Sequence, residues 1–288
     1  MFPSPPADIE EILIRCKETN QYEEVAYEWY KYVAQIALFA ASLDINSPLI
    51  SFQNKSNYGV LIGLLSRMSR LMLSNIKLSS GALHGETTTI LDRCINESAI
   101  KLIWLCKNYK ENKFDVFKAK ALWTEIKLKK EINQNIKKRK GNILPIEDRM
   151  LSSINKYLYE SKLTEDQIQK LRHQMPNMAD IIKSIGMNDL HYTVIMNIGS
   201  HSLHGTWVSL KRDYYTENES EVHLKDMSES YTHINQYISV SNYVIESLRY
   251  FFELIFQCGE SKENFKRLLD DIKKEILNIW DLHEQKNN

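Results

Sequence analysis

Glycine and proline are scarce in this chain, nine and six among 288 residues. So little turn-forming material argues against a fold of many short hairpins, and no alternating apolar–polar stretch bounded by turn residues persists anywhere. Net charge is missing as well: 37 basic residues cancel 37 acidic ones, so no global field steers the molecule toward nucleic acid or a membrane. Apolar runs are short. The most apolar stretch, Val33 to Leu43, covers about half of the ~20 residues a membrane-spanning helix requires. Met1-Phe-Pro-Ser-Pro-Pro has no basic region ahead of an apolar run, so no signal peptide is expected. Cysteine is limited to Cys16, Cys94, Cys106 and Cys258, with no Cys-x-x-Cys pair, as suits free thiols, mostly buried, in a reducing cytoplasm. Repeats and low-complexity segments are also lacking.

What is present is helix-forming material, rich in Lys, Glu, Leu and Ile. The periodicity predicts an all-α, multi-helix bundle with helices near 7–20, 21–43, 56–79, 84–110, 112–140, 147–160, 164–173, 188–208, 230–257 and 260–284. We read the chain as one all-α domain: N-terminal helices over 1–55, a core over 56–210, and a C-terminal helical hairpin over 230–284. Thr164 with Gln167 three residues later has the form of a capping box. Gly141-Asn-Ile-Leu-Pro145 should stop the preceding helix, and the polar stretch from Arg212 to Ser230 reads as a long mobile loop. Charge is uneven despite its zero sum. Residues 107–140 carry twelve bases against four acids, and residues 1–30 carry seven acids against two bases. The basic helix, with Trp123 on it, suits a solvated face, docking to the acidic N-terminus, or phosphate binding.

Two stretches put polar residues where a helical core expects hydrophobes. One is His84-Gly-Glu-Thr-Thr-Thr-Ile-Leu-Asp-Arg-Cys-Ile-Asn-Glu97. On a helix, Leu91, Ile95, Ala99, Leu102 and Cys106 share an apolar face. Glu86, Arg93, Glu97 and Trp104 line up almost opposite, so Arg93 is expected half-buried between carboxylates, a setting that suits guanidinium better than ammonium. The other is Asn197-Ile-Gly-Ser-His-Ser-Leu-His-Gly205. Here Met196, Gly199, Leu203 and Trp207 should form an apolar face, with Thr193, Asn197, Ser200, His201 and His204 on the adjoining arc. Imidazoles beside hydroxyl and amide groups suit general acid–base work, and an arginine facing them suits oxyanion stabilisation. A structural ion pair and structural histidines are the competing reading. His201, His204, His84, Glu86 and Glu97 could also supply metal ligands. However, there is no His-Glu-x-x-His or Glu-x-x-His motif, so neither a metal nor a cofactor is expected. Glycine-rich phosphate loops and a Gly-x-Ser-x-Gly elbow are absent too.

These residues resemble a bacterial family of unknown function that looks related to the all-helical HEPN superfamily of toxins and abortive-infection proteins. The resemblance rests on Arg93-x-x-x-Glu97 followed by Ile103-Trp-Leu105, then Tyr192 and Ser200-x-x-x-His204-Gly205, and spans roughly 56–210. It implies a HEPN-like core with extra N- and C-terminal helices, acting as a toxic effector in anti-phage defence by metal-independent RNA cleavage. It also implies a homodimer. The superfamily's usual Arg followed by His after four to six residues does not occur here. His204 would then move protons, with His201 as its partner or orienter, and Arg93 would supply the cation from another helix. Ser200, Asn197 and Tyr192 would contact substrate or imidazole, while Glu97 and Glu86 would orient Arg93. The expected partners are RNA, a second copy and a cognate regulator or inhibitor, with no membrane. The alternative is a non-catalytic helical module that binds a protein or nucleotide, with the polar cluster as a lock.

Overall fold

The computed structural model describes residues 2–79, 84–226, 232–256 and 259–287. Helix makes up 77% of it and the strands form one two-stranded hairpin, so the fold is an all-α multi-helix bundle. In chain order the first helices are α1 (Ile9–Thr19), α2 (Glu23–Ala41), α3 (Lys55–Ser79), α4 (Gly85–Lys107) and α5 (Lys113–Lys138). Then come α6 (Pro145–Ser161), α7 (Glu165–Leu171) with a 3₁₀ turn at Arg172–Gln174, and α8 (Met178–Ser184). A continuous helical rod follows, made of α9 (Asp189–Tyr192), a π segment (Thr193–Ile198) and α10 (Gly199–His204). The chain closes with α11 (Trp207–Asp213), strands β1 (Tyr215–Glu217) and β2 (Val222–Leu224), α12 (Ile234–Ile255) and α13 (Glu260–Asn287).

The helices group into two compact units: Met1–Lys107 with Ile181–Asn288, and Asn108–Asp180. In the first, α4 is the central helix, packed against α3, α12 and α10. Ile95, Ala99, Leu102, Leu105 and Cys106 are buried, and so are Ile100 and Trp104 on the other side. Apolar all round from Leu102 to Cys106, α4 is driven to the middle of the bundle. Buried on its neighbours are Leu65 and Met68 of α3 and Val244 and Phe251 of α12, and α2, with buried Val33 and Ile36, packs on those two helices. In the second unit α5 packs on α6 and α7 over Ala119, Leu122, Ile126 and Ile168. The expected stop signals act there. Gly141 turns with φ +90 after α5, Pro145 opens α6, and Thr164 and Gln167 exchange both capping bonds at 2.9 and 3.2 Å. Glu147 accepts from Leu144 N–H and from Arg139, and these bonds hold its carboxyl below the usual range.

Three expectations need correction. Residues 178–184, where no helix is expected, form α8 and bury Ile181 and Ile182. The stretch expected to be a mobile loop contains α11's end and the β1–β2 hairpin, in register Tyr215↔Leu224; its residues 227–230 lie outside the described residues. The helix expected over 188–208 stops at Gly205, whose φ of +56 ends α10, and α11 starts anew at Trp207. Cys16 and Cys106 are buried and Cys94 half-buried, all as free thiols, whereas Cys258 lies outside the described residues. Among the described residues no helix is long and apolar enough to cross a membrane.

Candidate functional site

The two polar stretches meet where α4 crosses α10. The contact is made by the smallest residue there is: a Cβ on Gly199 would stand 2.8 Å from Arg93 Cβ and 3.3 Å from its Cγ. Glycine at this position therefore lets the Arg93 side chain lie flat across the backbone of α10. From there Arg93 Nε donates to Ser200 Oγ at 3.2 Å, and Nη1 pairs with Glu97 Oε2 at 3.3 Å. Glu97 is shared, taking Lys101 Nζ on its other oxygen at 2.5 Å. The side chains of Arg93 and Glu97 are 18% and 28% exposed, the half-buried ion pair that the helical pattern implies. Ser200 Oγ in turn donates to Met196 O at 2.6 Å, one turn back along the rod.

The remaining candidates are less tightly gathered. His201 is half-buried and its Nδ1 bonds Thr206 Oγ1 at 2.8 Å, across the break at Gly205. Its carbonyl accepts from Ser209 Oγ at 2.8 Å, so the His201 backbone anchors α11 as well. His204 is exposed, and its ring has no hydrogen-bond partner among the described residues. Four residues after Ser200, it stands one helical turn beyond the arginine contact. The side chains of Asn197, exposed, and Tyr192, half-buried, also have no hydrogen-bond partner among the described residues. Glu86 does not orient Arg93. It accepts a hydrogen bond from Tyr214 at the end of α11, and that bond raises the phenol's pKa above its ordinary value. Arg212 joins the same fastening, donating to Ser202 Oγ at 2.8 Å and pairing with Asp213. Among the described residues no three His, Cys, Asp or Glu side chains gather as metal ligands would.

The apolar face expected on the second stretch is also different. Met196 and Gly199 are buried, but Leu203 and Trp207 are exposed. The π segment widens the turn ahead of Gly199, and the break at Gly205 puts Trp207 on a different helix, so a uniform 100° phase fails at both ends. Leu190, Val194 and Ile198 are exposed in a four-residue rhythm on this rod. Trp207, Val208 and Leu210 on α11 are exposed as well.

One polar cluster was not expected from the sequence. Asp92, next to Arg93 but pointing into the bundle, accepts from Asn75 Nδ2 of α3 and from Gln236 Nε2 of α12, each at 2.6 Å. Asn75 also donates to Tyr30 OH of α2 at 3.1 Å, and Thr88 Oγ1 meets Thr232 Oγ1 at 3.0 Å. Among the described residues no cation pairs with Asp92, and burial pushes its carboxyl up to about 7. The signal was present as Thr88, Asp92 and Asn96 at four-residue spacing, a second polar line on α4, all three buried.

The model of a family of unknown function, DUF5677, matches residues 58–223, more than half of the chain, and the chain belongs to that family. The matched stretch holds both Arg93 on α4 and Ser200–His204 on α10. No curated protein and no solved structure matches the chain.

Proposed function

We propose that this protein is a HEPN-like toxic effector of bacterial anti-phage or abortive-infection defence that cleaves RNA without a metal ion. The observation that supports this reading best is the seating of Arg93 on Gly199 and Ser200, which brings a cation to the helix turn that ends in the exposed imidazole of His204. In the reaction a ribose 2′-oxygen attacks the adjoining phosphorus while His204 accepts its proton. The P–O5′ bond breaks, the proton is returned to the leaving oxygen, and a cyclic phosphate remains. Arg93 stabilises the charge that gathers on the phosphoryl oxygens. His201 steadies the end of α10 through Thr206, and Asn197, Ser200 and Tyr192 offer hydrogen bonds to the strand. The exposed row Leu190, Val194 and Ile198 gives a protein partner, a second copy or a cognate regulator, an apolar footing.

A second reading has its own support. Arg93 already holds Glu97 and Ser200, as a lock between helices would, and the protein is then a non-catalytic module binding a protein or nucleotide. Induced expression separates the two. Wild type should arrest growth and degrade total RNA, and His204→Ala should do neither while accumulating to the same level. Arrest by both proteins with intact RNA would favour the binding module.

A further inference from the structure

The second unit concentrates unpaired positive charge on one face of α5. Lys120, Trp123, Lys127, Lys130 and Lys137 follow three-, four- and seven-residue spacings and fall within about a third of the helix circumference, with Glu131 at its edge. The Trp123 ring has three cations around it. The ammonium groups of Lys127 and Lys130 stand 5.7 Å from its centroid, and the guanidinium carbon of Arg172, from the 3₁₀ turn, stands 3.8 Å away. None of the three makes an ion pair among the described residues. Of the nearby acids, Glu165 pairs with Lys129 and Asp115 with Lys118, and Glu131 at the edge of the face makes no ion pair among the described residues. The negative face of the indole offsets part of the repulsion but leaves three full charges in place. Two more donors at the same spot, Trp123 Nε1 and Arg172 Nε, are buried without an acceptor among the described residues. The groups around the indole all donate.

The shape of the charge selects the ligand. From Lys120 to Lys137 is 17 residue steps, about 25 Å of helix at 1.5 Å per residue, which matches a linear polyanion better than a single phosphate. No large hydrophobic side chain of α5 is exposed, so the face lacks what an interfacial helix inserts into lipid. We propose that this face of α5, with Arg172, docks the sugar–phosphate backbone of a single-stranded nucleic acid. That the strand is RNA, not DNA, rests on the functional reading above; the surface itself does not.

The test uses the full chain carrying His204→Ala, so that bound RNA stays intact. Anisotropy of a labelled 20-nucleotide RNA is followed as salt rises, beside a DNA of the same sequence and phosphatidylserine vesicles. Five cations on the strand give a slope of log K against log salt near −3.5, at about −0.7 per contact. Adding Lys127→Gln and Lys130→Gln should lower that slope by about 1.4 and weaken binding by about 25-fold at 0.1 M salt. Both side chains are exposed, so melting should not move. Unchanged RNA affinity in this variant, or binding to vesicles with none to RNA, overturns the proposal. Equal affinity for DNA keeps the surface and removes the preference for RNA. Binding by a wild-type chain that does not cleave keeps the surface while the nuclease reading fails.

Discussion

Gly199 and Arg93 meet where no side-chain carbon fits between them, and the neighbouring atom, Arg93 Cβ, sits too close to its backbone to swing away. Two effects of Gly199→Ala compete. Alanine favours helix by about 1 kcal/mol, and overpacking a tight crossing costs about 1–3 kcal/mol. The contact should win, so urea denaturation should show Gly199→Ala less stable than wild type; a gain in stability would mean the helices are not in contact there. Asp92 makes a second prediction at this scale. Its folded pKa is raised to about 7 from the ordinary 3.8, so the folded state holds a proton that the unfolded state has released. The contribution is fully present below about pH 3.8 and is lost as pH rises through 7. Stability should therefore fall by up to about 1.4 kcal/mol per pH unit between roughly pH 5 and 6.5, and Asp92→Asn should flatten that slope. The Arg93–Glu97 pair was legible because an arginine on a mostly apolar helix needs a carboxylate within reach, and Glu97 stands one turn away. The partners of Asp92 were not, because Asn75 and Gln236 stand on two other helices, 17 and 144 residues away, and periodicity does not say which helices pack together.

The helices of the bundle were largely legible, since the Thr164 cap, Gly141 and Pro145 act through neighbouring residues alone. The rod from Asp189 to His204 was only half legible. Its existence follows from periodicity, but a π segment changes the angular step without any distinctive residue type, so Leu203 falls on a face other than the one expected. Gly205 stands inside the polar motif, where the helical pattern runs on past it, yet it carries the left-handed turn that separates α10 from α11. Beyond its chain neighbours, no described atom lies within 4 Å of where its Cβ would be, so the cost of Gly205→Ala comes from backbone strain alone, about 1–2 kcal/mol. Gly205→Asn should be milder, since asparagine tolerates this conformation. Thermal melting of the pair checks the order, and equal melting temperatures would contradict it.

At the scale of the whole molecule, the sequence disclosed the all-α class and the meeting of two polar helices. The Asn108–Asp180 unit was not anticipated, since grouping helices into units depends on tertiary contacts that periodicity does not encode. Family membership covers both polar stretches, and the chemistry assigned to them rests on His204. Being exposed, and its ring having no hydrogen bond among the described residues, His204 contributes little to packing, so His204→Ala should melt with wild type. The most direct measurement is single-turnover cleavage of an end-labelled RNA by purified protein in excess EDTA, with a matched strand lacking one 2′-hydroxyl at the cut site. Wild type should cut the RNA despite the chelator and spare the deoxy position, and His204→Ala should be slower by about 10² to 10⁴-fold at an unchanged melting temperature. Cleavage that survives His204→Ala, or that stops with EDTA, would contradict the assignment of His204 as the proton-transfer group of a metal-independent ribonuclease.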